Sequence, residues 1–276
     1  MSQNVPGEHP GNISKDHRFA SGRLWRVESI FLLLATVVGV AYVYGLWNLS
    51  FAALLSGVGI PTEAFAALLL AAISLKPKGP PQDRFSSAWT CFTLGVFFCF
   101  LAEAYYGAYF LFLGILAPYP SVADGFWLAS YVPFIVGIVL LAWPFRKAFA
   151  SRTVIFGAIA ILGVATVALA VLVPPILVSG EPDFLTMGIS LAYPLLAAVL
   201  LVIGVPVLLI FRRGTFWKPV LYMIIGTIIL LVYDMLSLVV AYYMGHPIDM
   251  LYQWSYLAVA LGFYLRARQV RFLSRT

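Results

Sequence analysis

The chain has 276 residues, 62% of them hydrophobic and only 10% charged, with a formal net charge of +6 and a mean hydropathy of +0.97. So few polar residues cannot clothe a water-soluble surface, which excludes a soluble globular domain and points to an integral membrane protein. The pI near 9.3 comes from basic residues in small groups at span ends; membrane orientation accounts for it, and no nucleic-acid partner is expected.

Residues 1–22 are hydrophilic and lack the apolar core and cleavage site of a signal peptide, so they read as a cytoplasmic tail before an uncleaved first span. Apolar runs follow at 24–46, 50–75, 86–114, 121–145, 153–175, 183–211, 217–243 and 247–266. Each is long enough to cross about 30 Å of hydrocarbon. The expected fold is all-α, a polytopic membrane protein of eight transmembrane helices. Gly57, Gly59 and Pro61 interrupt the second run, which predicts a kinked helix there. Ser121, with Asp124 three residues on, is a helix start for the fourth. Cys91 and Cys99 fall in the third run, about 12 Å apart along a helix, too far for a disulfide.

All 17 lysines and arginines fall on one side of this arrangement. Lys15, Arg18, Arg23 and Arg26 precede the first span, and Lys76, Lys78 and Arg84 lie between the second and third. Arg146, Lys147 and Arg152 follow the fourth, Arg212, Arg213 and Lys218 follow the sixth, and Arg266, Arg268, Arg271 and Arg275 close the chain. The positive-inside rule then places both termini in the cytoplasm of a multi-pass cell-membrane protein.

The order of matches along the chain predicts a duplication. Phe19-Ala20-Ser21 and Ala35-Thr36-Val37 recur as Phe149-Ala150-Ser151 and Ala165-Thr166-Val167. Gly95 and Glu103 share a spacing with Gly226 and Asp234. Asp124, Ser130, Tyr131 and Gly137 do so with Asp249, Ser255, Tyr256 and Gly262. The expected domains are a first four-helix repeat over 23–147, a second over 148–266 and a basic tail over 267–276. With four spans per half, this 4+4 parallel duplication has its pseudo-twofold axis along the membrane normal.

The run Pro120-Ser121-Val122-Ala123-Asp124-Gly125-Phe126-Trp127-Leu128-Ala129-Ser130-Tyr131-Val132-Pro133, with Glu103 in the preceding helix, resembles the multi-span N-terminal sensor regions of archaeal and bacterial histidine kinases and diguanylate cyclases. Tyr193-Pro194 also suits that pattern, whereas Leu195 to Ala198 stand where an Asp is expected. About ten residues follow the last span, too few for an effector domain. The resemblance therefore implies a sensor-like membrane domain in the lipid bilayer that relays to a separate cytoplasmic signalling protein.

Intramembrane carboxylates are the sharpest chemical signal, because an ionised acid at the bilayer centre costs about 2.5–3.5 kcal/mol. Glu103 and Asp234 lie inside spans away from the basic ends, with Tyr106 one turn after Glu103 and Ser237 one turn after Asp234. They form a candidate ligand, proton or cation site between the repeats; the structural alternative is protonated acids bonded to neighbouring hydroxyls. Asp124 and Asp249 sit in first turns, where capping explains each singly, while their duplication with Tyr131 and Tyr256 points to a shared outer vestibule that Glu63 joins from the kinked helix. No His/Cys cluster, phosphate-binding loop or nucleophile elbow is present. Neither a catalytic residue, a metal nor a cofactor is therefore expected. The first functional expectation is a membrane module that senses a small molecule, lipid or ion from the outer side. A proton- or cation-coupled transporter is the second, and an enzyme acting on lipid through paired carboxylates is the least supported.

Overall fold

A computed structural model describes residues 10–75, 84–147, 149, 155–157, 159–163, 166, 184–212, 214 and 217–273. Among these the chain is helical, without strands. Helix α1 (Pro10–Gly45) begins well upstream of the first apolar run. Helix α2 (Leu49–Leu54) is capped by Asn48, whose side chain accepts from the Phe51 N–H at 3.1 Å. A π-turn (Leu55–Gly59) joins it to α3 (Ile60–Ser74). Pro61 has no N–H to offer the carbonyl of Gly57, and the helix widens into the π-turn immediately upstream. The second span is therefore one interrupted helix, as its glycines and proline predict.

Helix α4 (Arg84–Ala108) extends into a second π-turn (Tyr109–Leu113) and stops at Gly114, whose φ of 66° is left-handed. Helix α5 (Val122–Ala142) starts as expected: the Ser121 N–H donates to Asp124 Oδ2 at 2.6 Å, and Ser121 Oγ accepts from the Ala123 N–H at 3.2 Å. Next come α6 (Phe184–Phe211), α7 (Trp217–Ser237) and α8 (Asp249–Leu273). The seventh run ends earlier than its hydropathy implies, since the helix stops at Ser237 and 238–248 are turns and bends. The fifth run, 153–175, and the Phe149–Ser151 repeat fall mostly outside the described residues.

Among the described residues six helical segments are long and apolar enough to cross a membrane: 25–45, 49–74, 84–113, 122–145, 184–211 and 217–237. The protein is accordingly multi-pass. Helix α8 carries more polar residues, yet it packs in the bundle on α3, α7 and α1. Basic and aromatic residues meet at one end. The Arg84 and Arg146 guanidinium groups lie 5.8 and 5.7 Å from the Trp143 ring, and Arg266 lies over Phe85 and Trp89 at 4.8 and 5.3 Å. Lys218 pairs there with the buried Glu28 at 2.6 Å. Asp124, Tyr193, Asp249 and Ser56 gather at the opposite, acid end.

Packing follows a closed sequence: α3 on α4, α4 on α5, α5 on α6, α6 on α7, α7 on α8, and α8 back on α3. Glycines set the closest approaches. An added Cβ at Gly95 would lie 2.6 Å from Phe134, and one at Gly137 would meet Phe92 at 2.6 Å and the Ala88 carbonyl at 3.0 Å. Across the ring, a Cβ at Gly226 would meet Val259 at 2.8 Å, and one at Gly262 would meet the Pro219 carbonyl at 3.0 Å and Met223 at 3.2 Å. By the spacing of the sequence matches, Val259, Pro219 and Met223 stand at the positions that correspond to Phe134, Ala88 and Phe92.

Candidate functional site

The six-helix ring encloses a cavity of about 510 Å³ to which every one of its helices contributes. Seven of the nine candidate residues line it: Glu103, Tyr106, Asp124, Tyr131, Asp234, Ser237 and Tyr256. Its acid-end half is polar and rich in tyrosine, with eight tyrosines and Trp127 in the wall; towards the basic end the wall is apolar, with side chains such as Phe92, Ile138, Leu141 and Val220.

Glu103 is 3% exposed and held from two helices. Its Oε1 accepts from Trp127 Nε1–H on α5 and from the Tyr256 hydroxyl on α8, both at 2.9 Å. The Tyr256 bond ties the acid to a residue 153 positions further on, a link that spacing within one helix could not reveal. Tyr106 does not bond Glu103 through its hydroxyl as the one-turn spacing implied. Its ring packs on Trp127, with centroids 5.9 Å apart.

Asp234 is 8% exposed, and its Oδ2 is buried without a hydrogen-bond partner although the residue faces the cavity. Ser237 does not satisfy it, because its Oγ donates to the Asp234 backbone carbonyl at 2.8 Å. The two acids thus share one cavity with no hydrogen bond between them. An oxygen so placed keeps acceptor capacity that no protein donor fills.

Asp124 caps α5 and also accepts from the Tyr193 hydroxyl of α6 at 2.7 Å through Oδ1, while Tyr131 reaches the Tyr193 carbonyl at 3.5 Å, a marginal length. Ser130 Oγ donates to the Trp127 carbonyl at 2.6 Å, and Ser255 Oγ donates to the Tyr252 carbonyl at 2.7 Å. The two serines therefore make the same local bond, each to the carbonyl three residues back. Around them stand rings that sequence reasoning missed: Tyr233 and Tyr252 have centroids 4.7 Å apart, and Tyr252 and Tyr256 5.5 Å. Their clustering in the last two spans is the signal that could have found them.

Asp249 is not part of the shared vestibule. It is fully buried behind the ring wall, where its Oδ2 accepts from Ser56 Oγ of the π-turn at 2.6 Å and from the Tyr242 hydroxyl at 3.2 Å. Ser56 lies 2.8 Å from the Tyr42 hydroxyl, and Gln253 Nε2 donates to the Leu55 carbonyl at 2.8 Å. A one-residue widening of the backbone gives Asp249 a role unlike that of Asp124. Glu63 also lies outside the cavity wall, one turn beyond the π-turn.

Outside the spans, burial pushes the His246 imidazole below its ordinary pKa, consistent with its Nδ1 accepting from the Ile248 N–H at 3.2 Å. Burial raises the Tyr119 phenol, opposed by its hydrogen bond with Ser190. Among the described residues no group of three His, Cys, Asp or Glu side chains is arranged to hold a metal ion. Cys91 and Cys99 are free thiols, and Cys99 lines the cavity. Comparison with known proteins finds no matching family model, curated protein or solved structure.

Proposed function

We propose that the chain is a membrane-embedded ligand-binding module of the sensory kind, taking a small molecule into the ring from the outer side and relaying its presence to a cytoplasmic partner. The observation that carries this reading is the cavity lined by six helices, polar and aromatic at one end and apolar at the other, with an unpartnered acid in its wall. Sites of this kind combine an apolar wall with a few convergent polar groups. An intramembrane acid facing such a space is a functional candidate by default.

Two further elements belong to the same reading. The one-sided basic residues put both termini in the cytoplasm, so the acid end faces outward. The chain is a 4+4 parallel duplication, supported by the matched glycine contacts and by the shared serine bonds. A twofold ring offers a relay. Ligand held between Glu103 on α4 and Asp234 on α7 biases how the halves pack, and α4 meets α8 at the basic end through Arg266, Phe85 and Trp89. Any change in that contact presents a different surface to a cytoplasmic protein.

The test uses the native thiol in the cavity wall. In vesicles containing the Cys91→Ala protein, single-chain amphiphiles of C8 to C12 should slow modification of Cys99 by a small methanethiosulfonate, while an entrapped pH dye reports no proton flux. Amphiphile-driven flux would replace the sensory reading by the transport one. An unprotected Cys99 with every amphiphile would remove the cavity as the site.

A further inference from the structure

The shape and the wall chemistry of the cavity together define a ligand class. Along α5 the wall runs from Asp124 to Leu141, about 25 Å at 1.5 Å per residue, so about 510 Å³ corresponds to a mean section of roughly 20 Å². That section accommodates an extended alkyl chain along its length. The apolar reach from Asp234 to Val220 along α7 is about 21 Å, enough for a tail of a dozen carbons with its head at the acid.

The head must suit the polar end. Glu103, Asp124 and Asp234 lie in the wall, and no lysine, arginine or histidine lines the cavity among the described residues. Two of the three acids are engaged: Glu103 by Trp127 and Tyr256, and Asp124 by Ser121 and Tyr193. Asp234 Oδ2 alone is buried and without a partner, in a residue more than nine-tenths buried. Next to it in the chain is Tyr233, whose ring lies 4.7 Å from that of Tyr252 at a tilt of 46°, both in the cavity wall, and ring quadrupoles attract a cation. An anionic head would meet three carboxyl groups and no cation. A neutral hydroxyl head would leave the tyrosine faces unused.

We infer that the cavity binds a single-chain amphiphile with a cationic nitrogen head, an alkylammonium, with the nitrogen at Asp234 beside the tyrosine faces and the tail between Ile138, Leu141 and Val220. The inference rests on the ligand-binding reading above and specifies its substrate class. Binding neutralises the one open acid of the wall and fills the apolar end with hydrocarbon, so head and tail contribute separately. Because the tail needs only an apolar slot, chain length sets affinity and the charged head sets selectivity.

The experiment compares dodecyltrimethylammonium, dodecan-1-ol and dodecyl sulfate below their micellar concentrations. Each is titrated calorimetrically into the full-length protein in zwitterionic nanodiscs, with empty nanodiscs subtracted. The expected result is saturable binding of the cation, at least about tenfold tighter than the alcohol, with the sulfate weakest. Asp234→Asn should lower cation affinity about tenfold and leave the alcohol unchanged. If cation and alcohol bind equally, or the sulfate binds tightest, the cationic subsite is wrong while a cavity for amphiphiles stands. If none of the three binds, both the inference and the ligand-binding reading fail. The wild-type comparison decides the matter even if the Asn variant does not fold.

Discussion

Replacing Glu103 by leucine pits two physical effects of opposite sign against each other. If the acid is merely tolerated in the membrane, its removal should stabilise the fold, because an ionised carboxylate there costs about 2.5–3.5 kcal/mol. That cost applies to an unpaired charge in hydrocarbon, whereas Glu103 is buried among helices and accepts two hydrogen bonds, so the structure gives a different sign. Glu103 Oε1 is the acceptor for both Trp127 Nε1–H and the Tyr256 hydroxyl at 2.9 Å, so Glu103→Leu leaves two buried donors unpaired on two other helices. An unmet donor costs about 1–3 kcal/mol in a water-soluble protein. Interhelical bonds in membranes average nearer 0.6 kcal/mol, because the separated helices also find partners. The membrane figure is the relevant one, and with the volume mismatch of a branched side chain it places the loss at about 1–3 kcal/mol. Glu103→Gln keeps an acceptor oxygen in the same place and should lose less than about 1 kcal/mol. Thermal unfolding in neutral detergent, followed by near-ultraviolet circular dichroism, measures both variants. A leucine variant as stable as wild type, or more so, refutes the reasoning.

The other acid should behave oppositely: Asp234 Oδ2 has no partner to strand, so Asp234→Leu should raise the melting temperature in the same assay, and a fall would mean that the carboxylate has a bonded role. Ser56→Ala removes the shortest bond to Asp249 and should cost about 1–3 kcal/mol, more than Tyr242→Phe, whose bond is 3.2 Å; the reverse order on unfolding would count against the π-turn anchor. Gly95→Ala and Gly226→Ala should each destabilise by about 1–3 kcal/mol, whereas Gly125→Ala, with nothing within 4 Å, should be neutral, and divergent costs for the first two would argue against equivalent halves. Ile115→Cys and Lys147→Cys, in a Cys91→Ala, Cys99→Ser background, should label from opposite faces of sealed vesicles; labelling from one face would overturn the assigned topology.

What could be read in the chain divides along physical lines. Hydropathy runs marked six spans among the described residues because burial in lipid acts on every residue of a helix, and the Ser121 cap was legible because its chemistry spans only three residues. Pro61 announced the interrupted second helix for the same local reason. Bonds between helices were not legible. Nothing in a one-turn spacing could say that Glu103 reaches Tyr256 of α8 rather than Tyr106 of its own helix. The duplication also misled at Asp249: its likeness to Asp124 implied a second vestibule acid, but the π-turn presents Ser56 to it and draws it behind the wall. Where two similar segments pack against different partners, equal spacing no longer means equal surroundings. The gathering of Tyr233, Tyr252 and Tyr256 was visible as composition but acquired meaning only once their rings met.

The central claim, a ligand seat inside the ring with its charged end at Asp234, is most directly tested by a crystal structure grown with 12-bromododecyltrimethylammonium. The account predicts a single bromine anomalous peak among Ile138, Leu141 and Val220, and a head density within about 6 Å of the Tyr233 or Tyr252 ring centroid. Bromine found only on the lipid-facing surface, or a tail lying with its head towards the basic end, would contradict it.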